Sequence, residues 1–125
     1  MNHGRHYSVE EANAALDWVQ GLIERLRAAR EQLTDEEARK ALSDATPGNG
    51  GGAPAQVVSA GFLSLRQALA ELQAAEVVLR DLDRGLVDFP TVRDGEEVYL
   101  CWVEGEDEIA WWHGPDTGYA GRQPL

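Results

Sequence analysis

Along the first two thirds of the chain the apolar residues recur at alternating steps of four and three. They stand at Ala12, Leu16, Val19, Ile23, Leu26 and Leu33, with Arg30 in the missing slot. They recur at Val58, Phe62, Leu65, Leu69, Leu72 and Leu79, with Glu76 interrupting. This spacing keeps one side of an α-helix apolar and predicts two helical seams. Ala15, Leu22 and Ala29 widen the first stripe. Ser8-Val9-Glu10-Glu11 is a capping box: the serine oxygen accepts from the Glu11 amide, and the Glu11 carboxylate reaches back to the Ser8 amide. The first helix either runs on to about residue 43 or bends and restarts at a second box, Thr34-Asp35-Glu36-Glu37. The glycines and prolines of 47–54 cannot continue a helix, and they lack the Lys-Ser/Thr of a phosphate-binding loop. They therefore read as a linker that folds the two seams into an antiparallel hairpin over 8–84. In that register Glu76 falls opposite Arg27. Residues 1–7 read as a flexible tail.

The period changes after Gly85. Asp94-Gly95 is a strong hairpin signal, alternation follows it, and Gly105-Glu106 marks a second turn. Strands are predicted over 86–92, 97–103 and 108–113, as a three-stranded antiparallel meander followed by an extended C-terminal tail. The first turn pairs Phe89 with Leu100, Val87 with Trp102 and Asp88 with Cys101. The second, taken as tight, pairs Trp102 with Ile109, Leu100 with Trp111 and Val98 with His113. One face then carries Val87, Phe89, Leu100, Trp102, Trp111 and His113 under the helices. The other carries Leu86, Asp88, Tyr99, Cys101, Val103 and Trp112. The expected fold is α+β, a long helical hairpin packed on the meander, in a single domain over 1–125.

Composition narrows the choice of function. A net charge of −11 on 125 residues, from 22 acidic and 11 basic side chains, disfavours nucleic acid and anionic membranes. No apolar run reaches the ~18 residues of a membrane span, and no leader is evident. A single cysteine permits no internal disulfide, so a cytoplasmic location is expected.

His113 is the best candidate for chemistry. It is expected first as a hydrogen-bonded structural residue. The alternative is a divalent transition metal site in which Glu97, Asp116 and Glu11 join it. Cys101 reads as a small packing residue, since the expected register sets it on the opposite face from His113. Arg122 is expected to pair with Asp88. The second sheet face is unusually apolar, and Tyr99, Trp112 and Val103 are candidates for a partner interface. No nucleophile, base and orienting group line up, so nothing points to an enzyme. The leading expectation is a non-enzymatic module without a cofactor that forms a homodimer or binds a protein partner.

Several strings resemble one family throughout. Gly-Leu-Val-Asp-Phe-Pro (85–90), Glu-Val-Tyr-Leu-Cys-Trp (97–102), Gly-Glu (105–106), Trp-His (112–113) and Gly-Tyr-Ala-Gly-Arg (118–122) are similar to the bacterial family called domain of unknown function 2203. Tyr-Ser-Val-Glu-Glu-Ala-Asn (7–13) looks like its opening. Glu96 departs from the arginine expected in many relatives. The resemblance implies a fold and a set of characteristic residues, with no assigned activity.

Overall fold

The capping box at Ser8 forms as expected, with Glu11 N donating to Ser8 Oγ at 3.0 Å and Ser8 N to Glu11 Oε1 at 2.9 Å. It starts α1 (Val9–Ala14), which passes through Ala15 into α2 (Leu16–Glu31). The computed structural model describes residues 1–34, 36, 39, 40, 42 and 59–125. An unbroken run to 43 does not form, because α2 ends at Glu31. Residues 36, 39, 40 and 42 are again helical. The second capping box, the loop 47–54 and Val58 lie outside the described residues.

The second described seam begins at Ser59, whose side chain caps α3 (Ala60–Ala74) by accepting from Phe62 N. Gly61 lies against Gln32 and Ala29, and Glu71 pairs with Arg25 at 2.8 Å. The start of α3 therefore meets the end of α2, and the pair is antiparallel. Val19, Leu22, Ile23 and Leu26 interlock with Leu65, Ala68, Leu69 and Leu72 in one buried core.

The second seam stops earlier than its spacing predicts. Val77 N bonds to Leu72 O at 3.0 Å and Glu76 N to Gln73 O at 3.0 Å, with Glu76 in the left-handed region at φ 57. This is a Schellman stop with a non-glycine residue at its turning point. The chain leaves it as a strand, so the helical hairpin does not extend to residue 84. Glu76 does not face Arg27 across the hairpin; its carboxylate accepts from Gly4 N at 3.0 Å.

The sheet has five antiparallel strands in the order β1 (Val78–Asp81), β2 (Leu86–Arg93), β3 (Glu96–Val103), β4 (Trp111–His113) and β5 (Gln123–Pro124). The predicted meander is its centre, with β1 and β5 added outside. The β2–β3 register is the one predicted: Phe89 faces Leu100, Val87 faces Trp102 and Asp88 faces Cys101. Positive φ at both Asp94 and Gly95 (53 and 79) marks the tight two-residue turn that fixes it.

The β3–β4 register differs by one residue. Tyr99 pairs with His113, Leu100 with Trp112 and Cys101 with Trp111. The connection 104–110 is not a tight turn. Gly105 turns at φ 103, Glu106 is held by Trp102 and Val103, and Ile109 N is drawn to Asn13 Oδ1 at 2.7 Å. A slip of one residue exchanges the faces of a strand. Trp112 therefore packs towards the core, while Trp111 and His113 move to the far face with Cys101 and Asp88.

That far face is covered by both ends of the same chain. Residues 1–7 do not hang free: Asn2 N and His3 N donate to Glu97 (2.9 and 3.1 Å), and Tyr7 N donates to Pro90 O at 2.7 Å. Tyr7 itself turns into the core, where its ring meets Phe89 edge to face. At the other end, Arg122 lies over the rings of Trp111 and Tyr119.

Candidate metal centre

Three neighbouring strands each send one chemically distinct side chain to the same spot on the far face. β2 supplies Asp88, β3 supplies Cys101 and β4 supplies His113. The strand order makes them neighbours, and the register brings them level. Their donor atoms all lie within 4.8 Å of one another, the only such group of three or more among the described residues. All three residues are buried, Asp88 1 % exposed, Cys101 0 % and His113 2 %. They line one pocket of 370 Å³ together with Arg80, Leu86 and the segment 115–119.

Each donor is held from behind. His113 Nδ1 lies 2.7 Å from Gly114 O, which only accepts, so this nitrogen carries a proton. Its other nitrogen, Nε2, is thereby turned to Asp88 Oδ2 at 2.8 Å. Arg80 Nε donates to the same Oδ2 at 2.8 Å. Val78 pairs with Asp88, so alternation sets Arg80 on the same face as Asp88, beside a register shift between Leu79 and Asp81. Arg122 Nη1 lies 3.9 Å from Cys101 Sγ while the same guanidinium grips Glu106 with two bonds of 3.2 and 2.7 Å. Burial, then the Asp88 charge and a side-chain hydrogen bond to Asp88, push the Cys101 thiol up to about 11, against the pull of Arg122.

One atom is left over. Asp88 Oδ1 is buried and, the Cys101 thiol apart, has no hydrogen-bond partner among the described residues. An orphaned carboxylate oxygen costs on the order of 1–3 kcal/mol or more.

This arrangement is not that of a nucleophilic thiol. A reactive cysteine has its pKa lowered and a basic nitrogen aimed at it. Here the thiol is raised, and Nε2 is aimed at the carboxylate. Sulfur, imidazole and carboxylate converging in one pocket, each with an outer partner, are instead donor types that metal sites combine.

The structure places the other expected ligands as follows. Glu97 is taken by the N-terminal segment, accepting from His6 Nε2 at 2.7 Å. These contacts, His6 foremost, hold its carboxyl down at about 2. Glu11 is occupied in the capping box. Asp116 lines the same pocket as His113 but stands outside the convergent group. His113 ends β4 beyond the residues that β5 pairs, and its bond to the Gly114 carbonyl is the one expected of a hydrogen-bonded structural histidine. The Arg122–Asp88 pair does not form: Arg122 takes Glu106, and Asp88 takes Arg80 and His113. Of the candidate interface residues, Tyr99 is 6 % exposed, with its hydroxyl 3.0 Å from His3 Nε2 and Arg80 over its ring. Trp112 is half-buried on the core side beneath Arg93, and Val103 is half-buried at the end of β3.

Asp88 opposite Cys101 was legible in the sequence; His113 and Arg80 beside them were not. The signal for Arg80 was the pair Val77-Val78 ahead of Leu79, a β-branched start to a strand. The signal for His113 was the stretch 104–108, four acids around Gly105, too polar and too long for a tight turn.

A larger groove of 670 Å³ runs past Leu69, Leu72 and Val78. It is mainly apolar, and no comparable set of donors converges in it.

Antiparallel helices over a five-stranded antiparallel sheet, with a buried donor set on the face away from the helices, define an α+β protein with one candidate centre. The model of the family described as uncharacterised conserved protein DUF2203 matches residues 5–125, and the chain belongs to that family. Neither the curated proteins nor the solved structures contain a match to it. Among the described residues no helix is long and apolar enough to cross a membrane.

Proposed function

We propose that the protein binds a divalent transition metal ion, zinc by the chemistry of the donors, through Asp88, Cys101 and His113. The convergence of a carboxylate, a thiol and an imidazole in one buried group carries this reading, with Asp88 Oδ1 meeting nothing but the neighbouring Cys101 thiol. An ion there satisfies that oxygen and replaces the proton between Nε2 and Oδ2. Borderline-soft zinc accepts sulfur, nitrogen and oxygen together, whereas magnesium or calcium would leave the sulfur unused. Gly114 O behind His113 and Arg80 behind Asp88 supply the outer shell that such ligands usually have. The ion serves either the fold or a reaction, and the chain's own residues favour no particular reaction.

The test is metal analysis of tag-free protein, with thermal shifts on adding zinc, cobalt, manganese or nickel. We expect one equivalent of zinc and a raised Tm, both lost in Cys101→Ser and Asp88→Asn variants whose circular dichroism is unchanged. Protein that purifies without metal and shows no shift with any of the four ions would refute the proposal and leave the Asp88–His113 pair as a structural element.

Self-association, the expectation that led at the level of sequence, rested on the two heptad seams and on apolar sheet faces needing cover. The chain's own termini supply that cover at Leu86, Tyr99 and Cys101, all buried. The metal reading therefore takes precedence.

A further inference from the structure

We infer that this centre takes a small oxyanion, such as a carboxylate, at a metal position left open towards the pocket, with Arg80 as its counter-charge. The inference rests on the metal reading and deepens it. Only three protein donors converge among the described residues. A tetrahedral ion held by three ligands keeps one position for an exogenous group, the arrangement of reactive rather than purely structural zinc sites. All three donor residues line the same pocket, so that position faces the pocket.

Charge selects what fills it. A thiolate and a carboxylate together neutralise a doubly charged ion. The Arg122 guanidinium is already balanced by its two bonds to Glu106. Arg80 is different. Its Nε bonds to Asp88 Oδ2, but the Asp88 charge is spent on the ion, and its two Nη groups have no hydrogen-bond partner among the described residues. The side chain is 41 % exposed at the pocket wall and braced over the Tyr99 ring at 5.0 Å. Arg80 thus brings a positive charge and a planar pair of free donors to a pocket whose one other charged lining residue, besides the proposed ligands, is Asp116. A carboxylate or similar anion matches both features, and a neutral ligand matches neither.

The experiment uses full-length protein loaded with cobalt, whose visible bands report its coordination. Acetate, azide and imidazole serve as the probes. We expect a thiolate-to-cobalt band that disappears in Cys101→Ser, and saturable changes in the visible bands with acetate and azide. Because Arg80 also backs Asp88, Arg80→Met should need more cobalt to load. At saturating cobalt it should show the thiolate band yet bind acetate at least about tenfold more weakly, the effect of losing a charge-assisted hydrogen bond. Arg80→Lys should restore much of the response, and imidazole should bind both variants alike. A thiolate band with no response to either anion, or an equal response in Arg80→Met, would overturn the inference while leaving the metal in place. Anion binding that emerges only in Asp116→Asn would overturn it too, because Asp116 would then be closing the shell. Absence of the cobalt band altogether would overturn both readings together.

Discussion

Asp88 and Glu97 show how differently two acids on one face of a sheet can be used. Asp88 is enclosed and shares a single oxygen between Arg80 and His113. In the metal-free protein, Asp88→Ala should cost at least about 2 kcal/mol by urea unfolding, because it strands the partners of a buried pair. A loss below ~0.5 kcal/mol would mean that the pair contributes nothing. Glu97 sits where the N-terminal segment crosses, and its folded pKa of about 2 lies below the ordinary value of 4.5. A depressed carboxylate adds stability that is fully present above the unfolded value and lost as pH falls through the folded one. The hold of Glu97 on Asn2, His3 and His6 should therefore fade between about pH 4.5 and 2. Carboxyl carbon NMR should give Glu97 a midpoint near 2, and a midpoint above 4 would contradict the assignment. Ser8→Ala should cost about 1 kcal/mol, the usual effect of removing such a cap.

At the level of elements, turns decided what could be read in advance. The β2–β3 hairpin was legible because a two-residue turn at Asp94-Gly95 leaves no slack in register. The β3–β4 register was not, because Ile109 is positioned by Asn13 on a distant helix, a contact that no local pattern announces. With it went the site, since His113 meets Cys101 only in the observed register. β1 was hidden for another reason: Leu79 fits a helical seam and a strand face equally well, and the helix stop at Glu76 has no glycine to reveal it. Two glycines test the turn chemistry. Gly95 has φ 79 with open space around it, so Gly95→Ala should cost only backbone strain, about 1–2 kcal/mol. Gly85 has φ 66, and an added Cβ would lie 2.6 Å from Glu104 Cβ, beside the Arg27–Glu104 pair. Gly85→Ala should be the more destabilising of the two in urea, and equal midpoints would show the contact to be slack.

For the whole molecule, the helices and the site stand on opposite sides of one sheet. Leu26, fully buried among α2, α3 and the sheet, should lose about 2–5 kcal/mol on change to alanine. Metal stoichiometry of the folded Leu26→Ala protein should stay unchanged. The two termini complete the far side, so deleting residues 1–6 should uncover Tyr99 and Glu97. Light scattering should then find more association in the shortened chain than in the intact one. An intact chain that is itself a stable dimer would have to use other surface, such as that around the exposed Trp18 and Leu63.

The observed pairing of β4 has one further effect. A strand of three residues, reached through a long connection, has little of its own to distinguish two alignments a single residue apart. In the rejected alignment His113 would turn towards the apolar core with its ring nitrogens unmet, and Asp88 would lose its imidazole. Each stranded buried group costs roughly 1–3 kcal/mol. The Asp88–His113 bond therefore acts as a proofreading contact: two polar residues, far apart in sequence, reject the wrong alignment more strongly than Trp111 and Trp112, either of which can fill an apolar slot, are able to select the right one.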